Sequence, residues 1–254
     1  MAQTSFTAAD VAERTAQPVL EIARGWLLSR NTAKRGEELG MLAGRGFWVN
    51  GRAGVLGDVD ADVAAAGVGF MHPDRLRPFW ETRPQGQSSQ ELAAEYAKCC
   101  ADWGQEKLAP LGDETLVQLT SLVRRVVDAA LPTTGALFAG WRAVPVPDDP
   151  GAAAALALHV LRELRGGAHI TAVTATGLTP LGAAMSAAPP RGGADWARDL
   201  GWSEPYPDAE SLVRLRQETE ALTSRIVTPA YEALAESERA HFVDLVEGAL
   251  AVSR

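Results

Sequence analysis

Apolar residues in this chain return every three to four positions, and nowhere do they keep the strict alternation of a strand. Leu116, Leu119, Val123, Val126 and Val127 form the clearest stripe, within 114–130, and 89–103 repeats the helical period. Caps and breakers divide the rest. Thr7-Ala8-Ala9-Asp10 has the form of a capping box with Asp in place of Glu, and it opens a helix toward Leu28 that Pro18 should kink. Asn31 or Thr32 caps a second helix that runs to Gly57, a third starts near Asp60, and Pro73 starts a short fourth one. Asp149-Pro150 is a cap followed by a first-turn proline, and Gly166-Gly167 reads as the stop of that helix, with a separate one over 168–176. Gly177-Leu178 then turns, Thr179-Pro180 opens another short helix, and long helices follow over about 208–226 and 236–252 with a break at Pro229. The expected fold is mainly α with at most small β wings, which excludes a dinucleotide-type α/β sheet.

A shift of 90 residues lays 45–70 over 135–160, so that Arg52, Ala53 and Asp58 fall on Arg142, Ala143 and Asp148. Both stretches run from an aromatic helix ending in Arg-Ala, through a Gly or Pro breaker and an acidic start, to an alanine-rich helix. This order predicts two related helical modules, 1–125 and 126–254, packed as one pseudo-symmetric unit.

Composition narrows the partners. The chain has 254 residues, 46% of them hydrophobic, enough for a substantial core. Its 24 basic and 32 acidic residues give a net charge of -8, the wrong sign for a phosphate backbone. The only two cysteines, Cys99 and Cys100, are neighbours, which disfavours a bridge between them and fits a reducing compartment. MAQTSFTAADVAERT lacks the basic and apolar regions of a signal peptide, and no stretch reaches the length of an apolar span, so the expected location is cytoplasmic and away from membranes.

Four stretches carry a resemblance: GRAGVLG (51–57), GFMHPDRLRPFW (69–80), LRELRGGAHITAVTATGL (161–178) and RQETEALTSRIVTPAYEAL (216–234). Together they resemble an actinobacterial group of helix-turn-helix-related proteins of about this length. The resemblance implies duplicated winged-helix modules and, for some relatives, a place in specialised-metabolite pathways, including ones that build aziridines. Relatives carry a Glu-Pro pair followed by His where this chain has Gln17-Pro18-Val19-Leu20, and Asp-Gly where Gly167-Ala168 stand. Those departures remove a histidine and two acids from any metal site the group shares.

The helix-turn-helix outline runs from His169 onward, but its second helix offers Pro180, Leu181, Gly182, Ala183, Ala184 and Met185. None of these reaches a base edge, so DNA is not an expected partner. His72 and His169, one in each module, are acid/base candidates if they converge on a cavity, and structural residues otherwise. In DVDAD, Asp58 or Asp60 reads as a helix cap and Asp62 as a first-turn acid, or else Asp62 is a base beside Arg52; the glycine and glutamate of a calcium loop are missing. Arg45, Arg52 and Arg142 lie near aromatic residues and suit a flat anion, or else Arg52 and Arg142 pair with Asp58 and Asp148. Trp48, Trp80 and Trp141, three of seven tryptophans, suit a pocket wall or a plain core. Arg162 and Glu163, the latter four residues from His159, complete the set.

No nucleotide, flavin or metal motif is legible, so no cofactor and no metal are expected. The expected function is a small-molecule protein of specialised metabolism doing acid/base-assisted intramolecular substitution. Asp62 and His72 would serve as base, Arg45, Arg52 and Arg142 as anion holders, and His169 as a second acid/base. Its ligand would be free or tethered to a carrier protein, and Leu245, Leu250 and Val252 leave room for a homodimer seam. The alternatives are a ligand-binding or self-resistance protein without catalysis and a ligand-responsive transcription regulator.

Overall fold

The computed structural model describes residues 6–188 and 191–254; the opening MAQTS and the two prolines of APPRGG lie outside the described residues. Among the described residues the chain forms thirteen α-helices, four 3₁₀ turns and no strand. In order the helices are α1 (Ala8–Leu27), α2 (Arg30–Glu38), α3 (Gly46–Ala53), α4 (Ala61–Val68), α5 (Pro73–Glu81), α6 (Ser89–Lys107) and α7 (Asp113–Ala129). They continue with α8 (Ala136–Arg142), α9 (Pro150–Thr176), α10 (Pro180–Met185), α11 (Gly193–Asp199), α12 (Val213–Tyr231) and α13 (Glu236–Ser253). No helix of the described residues is long and apolar enough to cross a membrane, and both cysteines are free.

The 27-residue α9 is the axis of the molecule and packs on α1, α6, α7, α8 and α12. Its first half, GAAAALALHVL, is buried on every side, and small side chains let neighbouring backbones come close. The closest crossing is with α6, where a Cβ on Gly151 would stand 2.7 Å from the Gly104 carbonyl oxygen. The predicted stripe of α7 is fully buried against α9; each such Leu or Val contributes roughly 1.5–3 kcal/mol.

Several boundaries follow their local chemistry. Thr7 and Asp10 close the capping box of α1, Asp60 caps α4, and Asp149 and Thr179 cap helices whose first residue is proline. Others differ from expectation. Gly166-Gly167 does not stop α9, which runs unbroken to Gly177, where φ of 78° gives the left-handed stop. Gly167 is small for another reason: a Cβ there would stand 2.5 Å from the Thr134 carbonyl oxygen and 2.7 Å from Gly135 Cα.

The predicted second helix is two, because Gly40 and Gly44 adopt positive φ between α2 and α3, and the cap of α2 is Ser29 rather than Asn31 or Thr32. Pro18 and Pro229 lie inside continuous helices. The expected β wings are absent among the described residues.

The junction at 125/126 falls inside α7, and α1 packs on α12 and α13 from the far end of the chain. One apolar cluster holds residues of both halves. The two aromatic repeats meet directly, as Trp141 Nε1 on α8 donates to the Arg52 carbonyl at the end of α3 (3.0 Å).

Candidate functional site

Arg45 at the start of α3 and Trp48 and Arg52 on it recur at helical spacing and share one face. The Trp48 ring lies between two guanidinium groups, with Arg45 Cζ 5.6 Å and Arg52 Cζ 5.4 Å from its centroid. Arg52 is only 4% exposed and is clamped to Glu163 of α9 by two bonds, Nε to Oε1 at 2.8 Å and Nη2 to Oε2 at 2.9 Å. Arg162 adds a third bond to Oε1 at 2.5 Å. Burial pushes the Glu163 carboxyl up, but the charges of Arg162 and Arg52 outweigh it and hold the group well below the usual carboxylate range. His159 packs edge-on between Trp141 and Trp26, with its ring nitrogens free of hydrogen bonds, and burial drives its pKa down to about 3 against the attraction of Glu163.

Four further residues gather in a recess beside this buried pair. Arg191 and Arg45 approach the Trp196 ring of α11, at 5.1 and 5.3 Å, and Asp199 of the same helix pairs with Arg45. Arg24 comes from α1. Burial, then the charges of Arg24, Arg162, Arg45 and Arg52, lower the Arg191 pKa to about 10. Burial also lowers that of Arg24, whose nearest carboxylate, Glu21, is engaged by Gln17 and Arg254. Among the described residues, Arg24 and Arg191 make no hydrogen bond and no ion pair, and Arg24 Nε is buried. Five guanidinium groups thus lie near enough to feel one another's charge, and among the described residues Glu163 and Asp199 are the carboxylates that pair with them. Beside them opens a cavity of about 320 Å³ with Leu27, Leu28, Met41, Leu42 and Phe47 as its apolar wall and Arg45, Glu37 and Asp199 as its charged residues.

A second polar group lies further along α9. His169 Nδ1 is 2.9 Å from Thr223 Oγ1 on α12, and Phe70 covers the ring at 5.5 Å between centroids. Burial lowers the His169 pKa to about 4, against the pull of Glu220.

The other residues expected to act are placed elsewhere. Asp62 is not beside Arg52: it is 73% exposed and pairs with Arg77 at 2.7 Å. His72 caps α5, its Nδ1 accepting from the Asp74 amide at 3.2 Å, and packs on Trp202; Trp202 in turn donates to the Phe70 carbonyl. Phe70 and Trp202 stand between the two histidines and link them through the Trp202 hydrogen bond to the Phe70 carbonyl. Neither Arg–Asp pair expected within the repeats forms: Asp58 binds Ser89 and Arg83, and Arg142 donates to the Ala130 and Asp128 carbonyls at the end of α7. Arg142 borders another open cavity, of about 470 Å³, but its guanidinium already donates to those carbonyls. Trp80 donates to the Val59 carbonyl at 2.9 Å and Trp141 is core, so of the three tryptophans only Trp48 reaches the recess. Arg24, Arg191, Trp196 and Asp199 were not foreseen; they sit in unrelated segments, and no spacing joins them.

Leu250 and Val252 are partly buried on α13, while Leu245 is core. No group of three His, Cys, Asp or Glu side chains stands together among the described residues. The helix-turn-helix outline survives as α9, the Gly177 turn and α10, but Gly182, Ala183, Ala184 and Met185 are all buried.

The molecule is thus an all-helical protein, among the described residues, with a recess bordered by Arg45, Trp48 and Asp199 and further arginines gathered beside it. The chain belongs to a helix-turn-helix family, whose model matches residues 12–252. No curated protein and no solved structure matches it.

Proposed function

We propose that this protein binds a small organic anion, its charged group among Arg24, Arg45 and Arg191 and its apolar body in the adjoining cavity. The observation that carries this reading is the pair of half-buried guanidinium groups, Arg24 and Arg191, that have no acceptor among the described residues and lie near the charges of Arg45, Arg52 and Arg162. Gathering like charges away from water costs free energy unless an anion compensates them. A cavity of about 320 Å³ with apolar walls and a few convergent polar groups suits a small metabolite.

Arginines placed in this way would hold an anionic leaving group during an intramolecular substitution in specialised metabolism, with no cofactor needed for that step. A second reading, binding or sequestration without turnover, is favoured by the place of Asp62, which is paired with Arg77 on the surface and is no base for this recess. DNA binding draws no support from α10, whose residues are short and mostly buried. Trp48 and Trp196 line the recess, so a titration of tryptophan fluorescence with benzenesulfonate tests the proposal. Saturable quenching that Trp48→Phe and Trp196→Phe diminish is expected, and an unchanged spectrum would contradict it.

A further inference from the structure

His169 is fixed by a chain of hydrogen bonds whose direction can be read. The Thr223 hydroxyl has one hydrogen, and its oxygen lies 2.7 Å from the Thr219 carbonyl, which can only accept. With that hydrogen donated to Thr219, the Thr223 oxygen accepts from His169 Nδ1 at 2.9 Å. The ring proton then sits on Nδ1, and Nε2 carries a lone pair.

That lone pair looks toward another acceptor. Glu220 Oε1 is 3.9 Å from Nε2, beyond hydrogen-bond distance. Protonation does not reconcile the two at neutral pH, because burial keeps the imidazole neutral. Glu220 Oε2 accepts from Arg165 at 2.6 Å and Oε1 itself accepts from Arg216, which leaves Oε1 its second lone pair for a further donor; two positive charges to one negative disfavour a cation in the gap. His169 keeps 14% of its side chain exposed, so the place is reachable from solvent. Two acceptors facing each other call for a neutral group with two donor hydrogens. Adjacent hydroxyls meet that need, each giving its hydrogen to one side of the gap.

We propose that His169 Nε2 and Glu220 Oε1 form a two-acceptor subsite for a vicinal diol, such as part of a sugar or another polyol, on a small-molecule ligand. The proposal rests on reading the protein as a small-molecule binder but uses none of the recess side chains. Seven residues separate Arg162 from His169 on α9, about two turns and 10 Å, so the subsite is a second place on the same helix.

Long-range ¹H–¹⁵N correlation on histidine-labelled protein at pH 7, with the spectrum of His169→Gln for assignment, tests it. In the free protein His169 should show a protonated Nδ1 and a bare Nε2. Titration with cis-1,2-cyclohexanediol should move Nε2 upfield and saturate, at least five times more tightly than cyclohexanol, which has one donor on the same body. Thr223→Val removes the acceptor that holds the proton on Nδ1, and should raise the Nε2–H population and weaken the diol at least fivefold. A protonated Nε2 in the wild-type protein, equal binding of diol and cyclohexanol, or no saturable shift would each overturn the proposal. The benzenesulfonate response of Trp48 and Trp196 should survive Thr223→Val, so the recess and this subsite stand or fall separately.

Discussion

At the scale of single residues, Glu163 decides more than any other side chain. It is 1% exposed and carries the charges of both Arg52 and Arg162. Glu163→Gln leaves two guanidinium groups without a counter-charge, and urea unfolding should show a loss of about 3–5 kcal/mol. From its place in the repeat Arg52 was expected to hold a ligand anion or to pair with Asp58; its partner is instead Glu163, 111 residues away, which only the folded packing brings to it. The nearer acids, Asp58 and Asp62, satisfy other groups.

Two histidines add a dependence on pH whose sign is fixed. His159 and His169 take protons at about 3 and about 4 in the folded protein, below the usual 6.5 that holds in the unfolded chain. Between pH 6.5 and about 4 the unfolded chain therefore binds more protons, and stability falls as the pH drops, by up to about 1.4 kcal/mol per pH unit for each histidine. Glu163, with its pKa depressed, adds its own loss only below the usual carboxylate value of 4.5. Urea midpoints that decline from pH 7 to 4.5 are expected; a flat profile would show that these rings are not buried and neutral.

At the scale of the element, α9 shows where sequence reading succeeds and where it stops. Asp149-Pro150 and Gly177 mark its ends by local rules of capping and left-handed glycine, so both were legible. The Gly166-Gly167 pair follows the same stop rule in sequence and breaks it in space. Gly167 is required by contact with the Gly135 backbone, whereas a Cβ on Gly166 would meet only Glu163 Oε2 at 3.6 Å. The two glycines should therefore respond oppositely to alanine. Gly166→Ala should gain up to about 1 kcal/mol from helix propensity, while Gly167→Ala should lose about 1–3 kcal/mol to overpacking, both read from thermal unfolding.

At the scale of the whole molecule, the recess needs most of the chain. Its walls come from α1, α3, α9 and α11, and α1 is positioned by α12 and α13. The helical class and most helix positions were legible, because each depends on local pattern. The recess was not, since Arg24 and Arg191 meet only after the long helices have packed. An electrophoretic mobility shift at low salt with duplex DNA should stay flat, given the net charge of -8 and the burial of α10. The most direct test is calorimetric titration of benzenesulfonate into the wild-type protein, Arg191→Ala, Arg24→Ala and, as a control, Arg142→Ala. The expected result is saturable binding that either recess variant weakens at least about tenfold and Arg142→Ala leaves unchanged; no binding, or equal binding by all four proteins, would contradict an anion site in this recess.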